Sequence, residues 1–473
     1  MSHHQPDPNK NVTLTIDGIP VTVPEGTRIL EAAKKVNVNI PTLCEHPDLC
    51  KRALCRVCVV EADGRGKLIA ACANDVWEGV KIVTANQRLL NVRKTIVELI
   101  LANHPQDCLS CIRNKNCELQ SLAKKFGVDG SLFHNGAEER MLSSSALIES
   151  ETLVRDMDKC VKCGRCVEVC QEVQTIRAIN TSCRSHEYEI STPYKQALKE
   201  GHCVFCGQCA AVCPVGAIYE HDQTAQVWDN LNNSEQHVIA QVSPAIISAL
   251  NKEFTLSIGE TNGKITAGKI AAALRLLGFD RVYDASIAAN AANSEISGEA
   301  ARRIKNNGKL PIISGCSQGV FNFIKCFYPD LTDHLTTGKS FRQIFASSIK
   351  DSYSKEAEIE PSNITSVSFV PCIAQKYEIR EKNKADFALT AGELARMIKL
   401  AGIAVETLSE EPFDSVINIE LQKQNNPDLS IRKETVHGFA NARKVMEAIR
   451  KGECDAQWVE IESCPGDCCS SEK

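Results

Sequence analysis

Apolar and polar residues alternate along VTLTIDGIPVTV, on both sides of Asp17-Gly18. A period of two marks a strand buried on one face, and Asp-Gly favours a type I′ turn, so residues 12 to 23 are expected to form a β-hairpin. A helix is expected next, over RILEAAKKV, with Thr27 placed to cap it. Val97 to Leu101 reads as the end of a further helix. From residue 236 the pattern becomes that of an α/β domain: ITAGKIAAALRLLGF and GFANARKVMEAIRKG have the helical period, while KLPIIS and SVSFVPC read as short buried strands. No stretch reaches the roughly 18 apolar residues of a membrane span, so none is expected.

Composition narrows the class. A chain of 473 residues is too long for one ordinary core, which implies two to four domains. Hydrophobic residues at 43%, charged residues at 24% and a dispersed net charge of −5 are ordinary for a soluble protein and argue against a nucleic-acid partner. The N-terminal MSHHQPDPNK lacks the apolar core or twin arginine of an export signal, so a cytoplasmic location is expected. The 24 cysteines change the picture, because 17 of them precede residue 214 and the last seven scatter from Cys316 to Cys469. A cytosolic chain does not normally carry disulfides, and these spacings are those of metal ligands rather than of a secreted disulfide framework.

Four groups of ligands stand out. Cys44, Cys55, Cys58 and Cys72 follow C-x10-C-x2-C-x13-C, one long loop and a returning strand, which suits a 2Fe-2S cluster better than zinc. This segment resembles the plant-type ferredoxin domain, of β-grasp fold, that is fused to respiratory Complex I and to iron-only hydrogenases. His104, Cys108, Cys111 and Cys117 follow H-x3-C-x2-C-x5-C. Their donor set alone also suits zinc; the spacing resembles the His-ligated 4Fe-4S cluster of the same two families. DKCVKCGRCVEVC and GHCVFCGQCAAVCP repeat the bacterial C-x2-C-x2-C-x3-C run, in which the fourth cysteine of each run serves the other cluster. That assigns Cys160, Cys163, Cys166 and Cys213 to one 4Fe-4S cluster, and Cys203, Cys206, Cys209 and Cys170 to another. Cys50 reads as a spare thiol and Cys183 as a free thiol in the core.

With these motifs in order, nearly the whole chain resembles the iron-only hydrogenases. Three family loops fall at LPIISGCSQGVFNF, FVPCIAQKYE and VEIESCPGDCC, which place Cys316, Cys372, Cys464 and Cys468 around the family's active-site cluster. The departures fall on the chemistry. Ser317 stands where the family has a cluster cysteine, Val370 and Gln375 replace a methionine and a lysine, Glu462 replaces a methionine, and Cys469-Ser470-Ser471 replaces a glycine-rich stretch that lets backbone approach a cofactor. With a one-residue shift Cys316 becomes the fourth ligand of a further 4Fe-4S cluster beside Cys372, Cys464 and Cys468; the alternative is an empty, purely structural domain. Cys326, Cys454 and Cys469 read as ordinary thiols.

The resemblance implies a modular α+β chain: a 2Fe-2S ferredoxin-like domain over 1–80, a His-Cys 4Fe-4S domain over 81–145, a two-cluster ferredoxin domain over 146–222 and a degenerate hydrogenase-like domain over 236–473. No Gly-rich dinucleotide fingerprint or Walker loop is present. The expected function is electron relay in an NAD(H)- and ferredoxin-linked, electron-bifurcating complex. Its implied partners are a flavin- and NADH-binding subunit, a thioredoxin-like 2Fe-2S subunit, ferredoxin, and a separate hydrogenase or formate dehydrogenase catalytic subunit. The alternatives are a catalytic iron-only hydrogenase with unusual loops, and a hydrogenase-derived sensor or cluster-assembly protein.

Overall fold

The computed structural model describes residues 7, 10–50, 52–63, 67–129, 147, 148, 150, 152–258, 264–381, 385–415 and 431–464. Asn11–Ile16 and Ile19–Pro24 pair antiparallel around Asp17 and Gly18, both with positive φ, 48° and 83°, as a type I′ turn requires. Val12, Leu14, Ile16, Val21 and Val23 are buried, so the alternation turns one face of the hairpin inward. Lys81–Val83, Val59–Ala62 and Lys67–Ala70 complete a five-stranded sheet. The helix Ile29–Lys35 buries Ile29, Leu30, Ala32 and Ala33.

Thr27 does not cap that helix. Arg28 occupies the N-cap without a side-chain bond, because the first free amides already have partners: Ile29 N–H donates to the Asn74 carbonyl and Leu30 N–H to the Ala71 carbonyl, each at 3.0 Å. Arg28 Nη1 donates to the Cys72 carbonyl at 2.8 Å, so the helix start holds the strand end that carries this cysteine.

The helix Gln87–Leu101 is capped by Asn86, whose side chain accepts from Leu89 N–H at 2.8 Å, and it delivers the chain to His104. A shorter helix, Glu118–Phe126, starts directly after Cys117. One apolar cluster joins Leu43, Val57, Val97, Leu119, Val215 and Ala217, so three sequence modules share a core.

The doubled cysteine segment is closed by Leu153–Arg155 and Ile218–Glu220, paired antiparallel. After each C-x2-C, Gly164 and Gly207 take positive φ, 79° and 76°, and turn the chain into the short helices Arg165–Glu168 and Gln208–Ala211. A ribbon of Asn180–Ser182 and Glu189–Ser191 lies between the runs. Cys183 sits just past its first strand and is exposed, not in the core, because a two-stranded ribbon has no second layer to bury its turn.

Beyond residue 236 the strands are parallel. Arg281–Asp284, His237–Val242, Ile364–Val370 and Phe387–Thr390 form one sheet in that order, and Ile312–Gly315, Trp458–Glu462 and Lys433–His437 form another. Every residue of Ile364–Val370 is buried, as expected for a strand covered on both faces. Cys316 follows Ile312–Gly315, Cys372 follows Ile364–Val370, and Cys464 follows Trp458–Glu462. All three therefore stand at the carboxyl ends of parallel strands, where open α/β sheets bind ligands.

Candidate metal centres

Cys44, Cys55, Cys58 and Cys72 meet at the edge of the first sheet. Cys58 Sγ lies 3.3 Å from Cys72 Sγ, and the Cys44 thiol is hydrogen-bonded to those of Cys55 and Cys72. These bonds push the Cys44 thiol far below its ordinary range, while the bond between Cys58 and Cys72 lowers Cys58 to about 7. The bond to Cys44 raises Cys55, and the bonds to Cys44 and Cys58 raise Cys72. Four sulfurs held together in this way suit a cationic centre, whose binding would displace their protons. Cys50 is exposed and outside the set.

The His-Cys motif packs against the ferredoxin segment. Glu118 N–H, just after Cys117, donates to the Pro214 carbonyl at 3.0 Å. A Cβ added at Gly216 would lie 2.8 Å from Cys111 Sγ, so only glycine admits this approach. Burial pushes the His104 imidazole below its ordinary pKa, and His104 is hydrogen-bonded to the backbone of Lys159. Its Nδ1 is buried without a hydrogen-bond partner. A neutral imidazole with one nitrogen held by backbone and the other unpaired is the form that ligates metal, so the donor set fits a metal centre.

The two runs cross. One pocket is lined by Cys160, Cys163, Cys166 and Cys213 among Met157, Ile190 and Val215. A second is lined by Cys203, Cys206, Cys209 and Cys170 among Leu153, Ile179 and Phe205. Each takes three cysteines from one run and the fourth from the other. Burial raises the thiols of Cys160 and Cys163 to about 11 and 12, and raises Cys166, Cys206 and Cys209 as well. Lys162 and Phe205, at φ 54° and 53°, turn their N–H groups onto Cys160 Sγ and Cys203 Sγ, each at 3.4 Å. Such donors favour a thiolate over a thiol. Among the described residues no group of three His, Cys, Asp or Glu closes on a single ion; each set of four cysteines instead lines one shared pocket.

The C-terminal loops converge on the second of these sites. Cys316 Sγ accepts from Ser463 N–H at 3.4 Å and lies 3.4 Å from Ser463 Oγ. Gln208 Nε2 donates to Cys464 Sγ at 3.4 Å, and Gln174 Nε2 to the Ser463 carbonyl at 2.9 Å. A Cβ at Gly207 would lie 2.7 Å from the Cβ of Ile373, the neighbour of Cys372, and one at Gly319 would lie 2.9 Å from the Val204 carbonyl. All three cysteine loops thus border the turn 204–208 or its neighbours. Behind them Lys376 and Glu393, both wholly buried, form an ion pair at 2.7 Å, and Lys376 Nζ also donates to the His221 carbonyl at 2.7 Å. Cys468 and Cys469 lie outside the described residues. Gln208, Gln174 and Ser463 carry no motif; only the adjacency of Gln208 to Cys209 and of Ser463 to Cys464 hints at their place.

Comparison with known proteins finds relatives of each kind of part. Residues 9–87 match the 2Fe-2S iron-sulfur cluster binding domain, 93–131 the NADH-ubiquinone oxidoreductase-G iron-sulfur binding region, and 150–219 the ferredoxin-like domain of NADH-quinone oxidoreductase subunit 3. Residues 236–428 and 418–471 match the C-terminal domain of the iron only hydrogenase large subunit. The NADP-reducing hydrogenase subunit HndD of Solidesulfovibrio fructosivorans is 34% identical over 97% of this chain and 87% of its own length. Iron hydrogenase 1 of Clostridium pasteurianum is 30% identical over 85% of this chain and 70% of its own length. The mitochondrial NADH-ubiquinone oxidoreductase 78 kDa subunit of Candida albicans is 31% identical over 44% of this chain and 28% of its own length. The match of residues 236–471 and the identity to the two hydrogenase relatives over most of their length place the chain in the iron-only hydrogenase large-subunit family.

Proposed function

We propose that this chain is an iron–sulfur electron-relay subunit of a cytoplasmic, multi-subunit oxidoreductase linked to NAD(H) and ferredoxin, working by electron bifurcation, and that it has no diiron hydrogen site of its own. The observation that carries the relay is the pair of crossed cavities, each walled by three cysteines of one run and the fourth of the other. When bound, an iron–sulfur cluster takes up and passes on single electrons. The chain's own residues do the rest: they fix the spacing of the sites, exclude water with Met157, Ile179 and Val215, and direct N–H groups at the sulfurs.

In this reading Cys44, Cys55, Cys58 and Cys72 hold a 2Fe-2S cluster, His104, Cys108, Cys111 and Cys117 a 4Fe-4S cluster, and the crossed sets two more. Cys316, Cys372, Cys464 and Cys468 hold a fourth 4Fe-4S cluster. Ser317, Gln375 and Glu462 stand where catalytic members of the family carry cysteine, lysine and methionine, which supports the loss of hydrogen chemistry here. Electrons enter or leave through a flavin- and NADH-binding subunit and a thioredoxin-like 2Fe-2S subunit, exchange with ferredoxin, and reach a separate hydrogenase or formate dehydrogenase catalytic subunit. No helix among the described residues is long and apolar enough to cross a membrane.

Infrared spectroscopy of the chain produced together with the hydrogenase maturation proteins tests the missing diiron site. No carbonyl or cyanide bands are expected; their presence makes this a catalytic hydrogenase with rebuilt loops.

A further inference from the structure

Arg165 lies between Cys163 and Cys166, is only 5% exposed, and reaches three loops from one guanidinium. Nη2 donates to the carbonyl of Glu45, beside Cys44, at 2.7 Å. Nη1 and Nη2 donate to the carboxylate of Glu118, beside Cys117, at 2.6 and 2.8 Å. Nη1 also approaches the carbonyl of Val212, beside Cys213, at 3.5 Å. One side chain therefore contacts a neighbour of a candidate ligand in each of three centres: the 2Fe-2S site, the His-Cys site and the first ferredoxin site. The contact between the first and third is close elsewhere too, since a Cβ at Gly164 would lie 3.0 Å from Leu54 Cδ1, and Arg52 pairs with Glu168.

A forked arginine–carboxylate pair is a good clamp. A clamp alone does not account for the Nε–H, which is buried and has no hydrogen-bond partner. Negative charge carried on sulfur at Cys44 and Cys163, whose loops the guanidinium joins, would interact favourably with the cation. On the relay reading given above, we propose that Arg165 is the positioning residue that locks the 2Fe-2S and His-Cys sites onto the first ferredoxin site, and that its charge makes the centres at Cys44 and Cys163 easier to reduce. Glu118 moderates that charge from the His-Cys side.

The test is a redox titration, followed by electron paramagnetic resonance, of the full chain reconstituted anaerobically. Arg165→Met should make reduction of the Cys44 and Cys163 centres about tenfold less favourable, a downward shift of about 59 mV for one electron. Glu118→Gln should shift the same two centres upward, because the guanidinium stays while the neutralising carboxylate goes. Arg165→Lys keeps the charge and should hold both potentials nearer the original. The centre at Cys203, Cys206, Cys209 and Cys170 should not move in any variant. Unchanged potentials, or shifts of the same sign in Arg165→Met and Glu118→Gln as loosened packing would give, overturn the assignment. If Arg165→Met fails to load, the sign of the Glu118→Gln shift decides, since the Glu118 side chain is 45% exposed and glutamine keeps an acceptor for the guanidinium. An unaltered chain that shows no reduced-cluster signals sinks the relay reading itself, and Arg165 with it.

Discussion

A methyl group at Gly216 has nowhere to go but toward Cys111 Sγ, 2.8 Å away. If Cys111 is a ligand its sulfur cannot retreat, so Gly216→Ala should cost one 4Fe-4S cluster, about 4 irons by chemical analysis, while the other centres keep their spectra. The crossed grouping of the cysteines makes a second residue-scale prediction. Cys170→Ser and Cys206→Ser should erase the same spectroscopic signal, and Cys166→Ser a different one; if Cys170→Ser instead removes the signal lost with Cys166, the runs do not cross. The grouping of the doubled cysteine runs was legible because their spacing is itself the signal. Arg165, Gly216 and Gln208 were not, because each matters through a neighbour distant in the chain: Arg165 meets Glu45 across 120 positions and Gln208 meets Cys464 across 256.

Elements with a strong period or a decisive turn were equally legible. Asp17-Gly18 announces its hairpin, and the helical run ending in Gly452 is observed as Phe439–Lys451. Thr27 misled because the helix amides found backbone acceptors at Ala71 and Asn74, a tertiary substitute for a cap that no local pattern displays. The strand Ile364–Val370, the helix Ile373–Glu381 and the helix Ala391–Leu400 form one unit around Lys376 and Glu393. The pair is wholly buried, so Lys376→Met leaves a carboxylate without its counter-charge and should lower stability by about 3–5 kcal/mol in denaturant titration. Replacing both residues by methionine should restore only part of that loss, because no buried charge remains but the amides of Gln223 and Thr390 lose the Glu393 carboxylate as acceptor. A double variant as weak as the single one would show that the pair acts through shape rather than charge.

At the scale of the whole molecule, cores rather than linkers join the parts. Leu43 and Val57 from the first module, Leu119 from the second and Val215 from the ferredoxin segment lie in one cluster. Val204, Phe205 and Ile373 lie in another that spans the ferredoxin segment and the C-terminal domain. The kinds of module could be read from their motifs, but this packing could not, since it depends on apolar residues with no distinguishing spacing. Quantification of iron and zinc in the purified, reconstituted chain is the most direct test of the relay. One 2Fe-2S and three 4Fe-4S clusters carry about 14 irons, a cluster at the C-terminal cysteines raises this to about 18, and zinc should be absent. About 10 irons with one zinc would contradict the His104 assignment, and fewer than about 8 would contradict the relay itself.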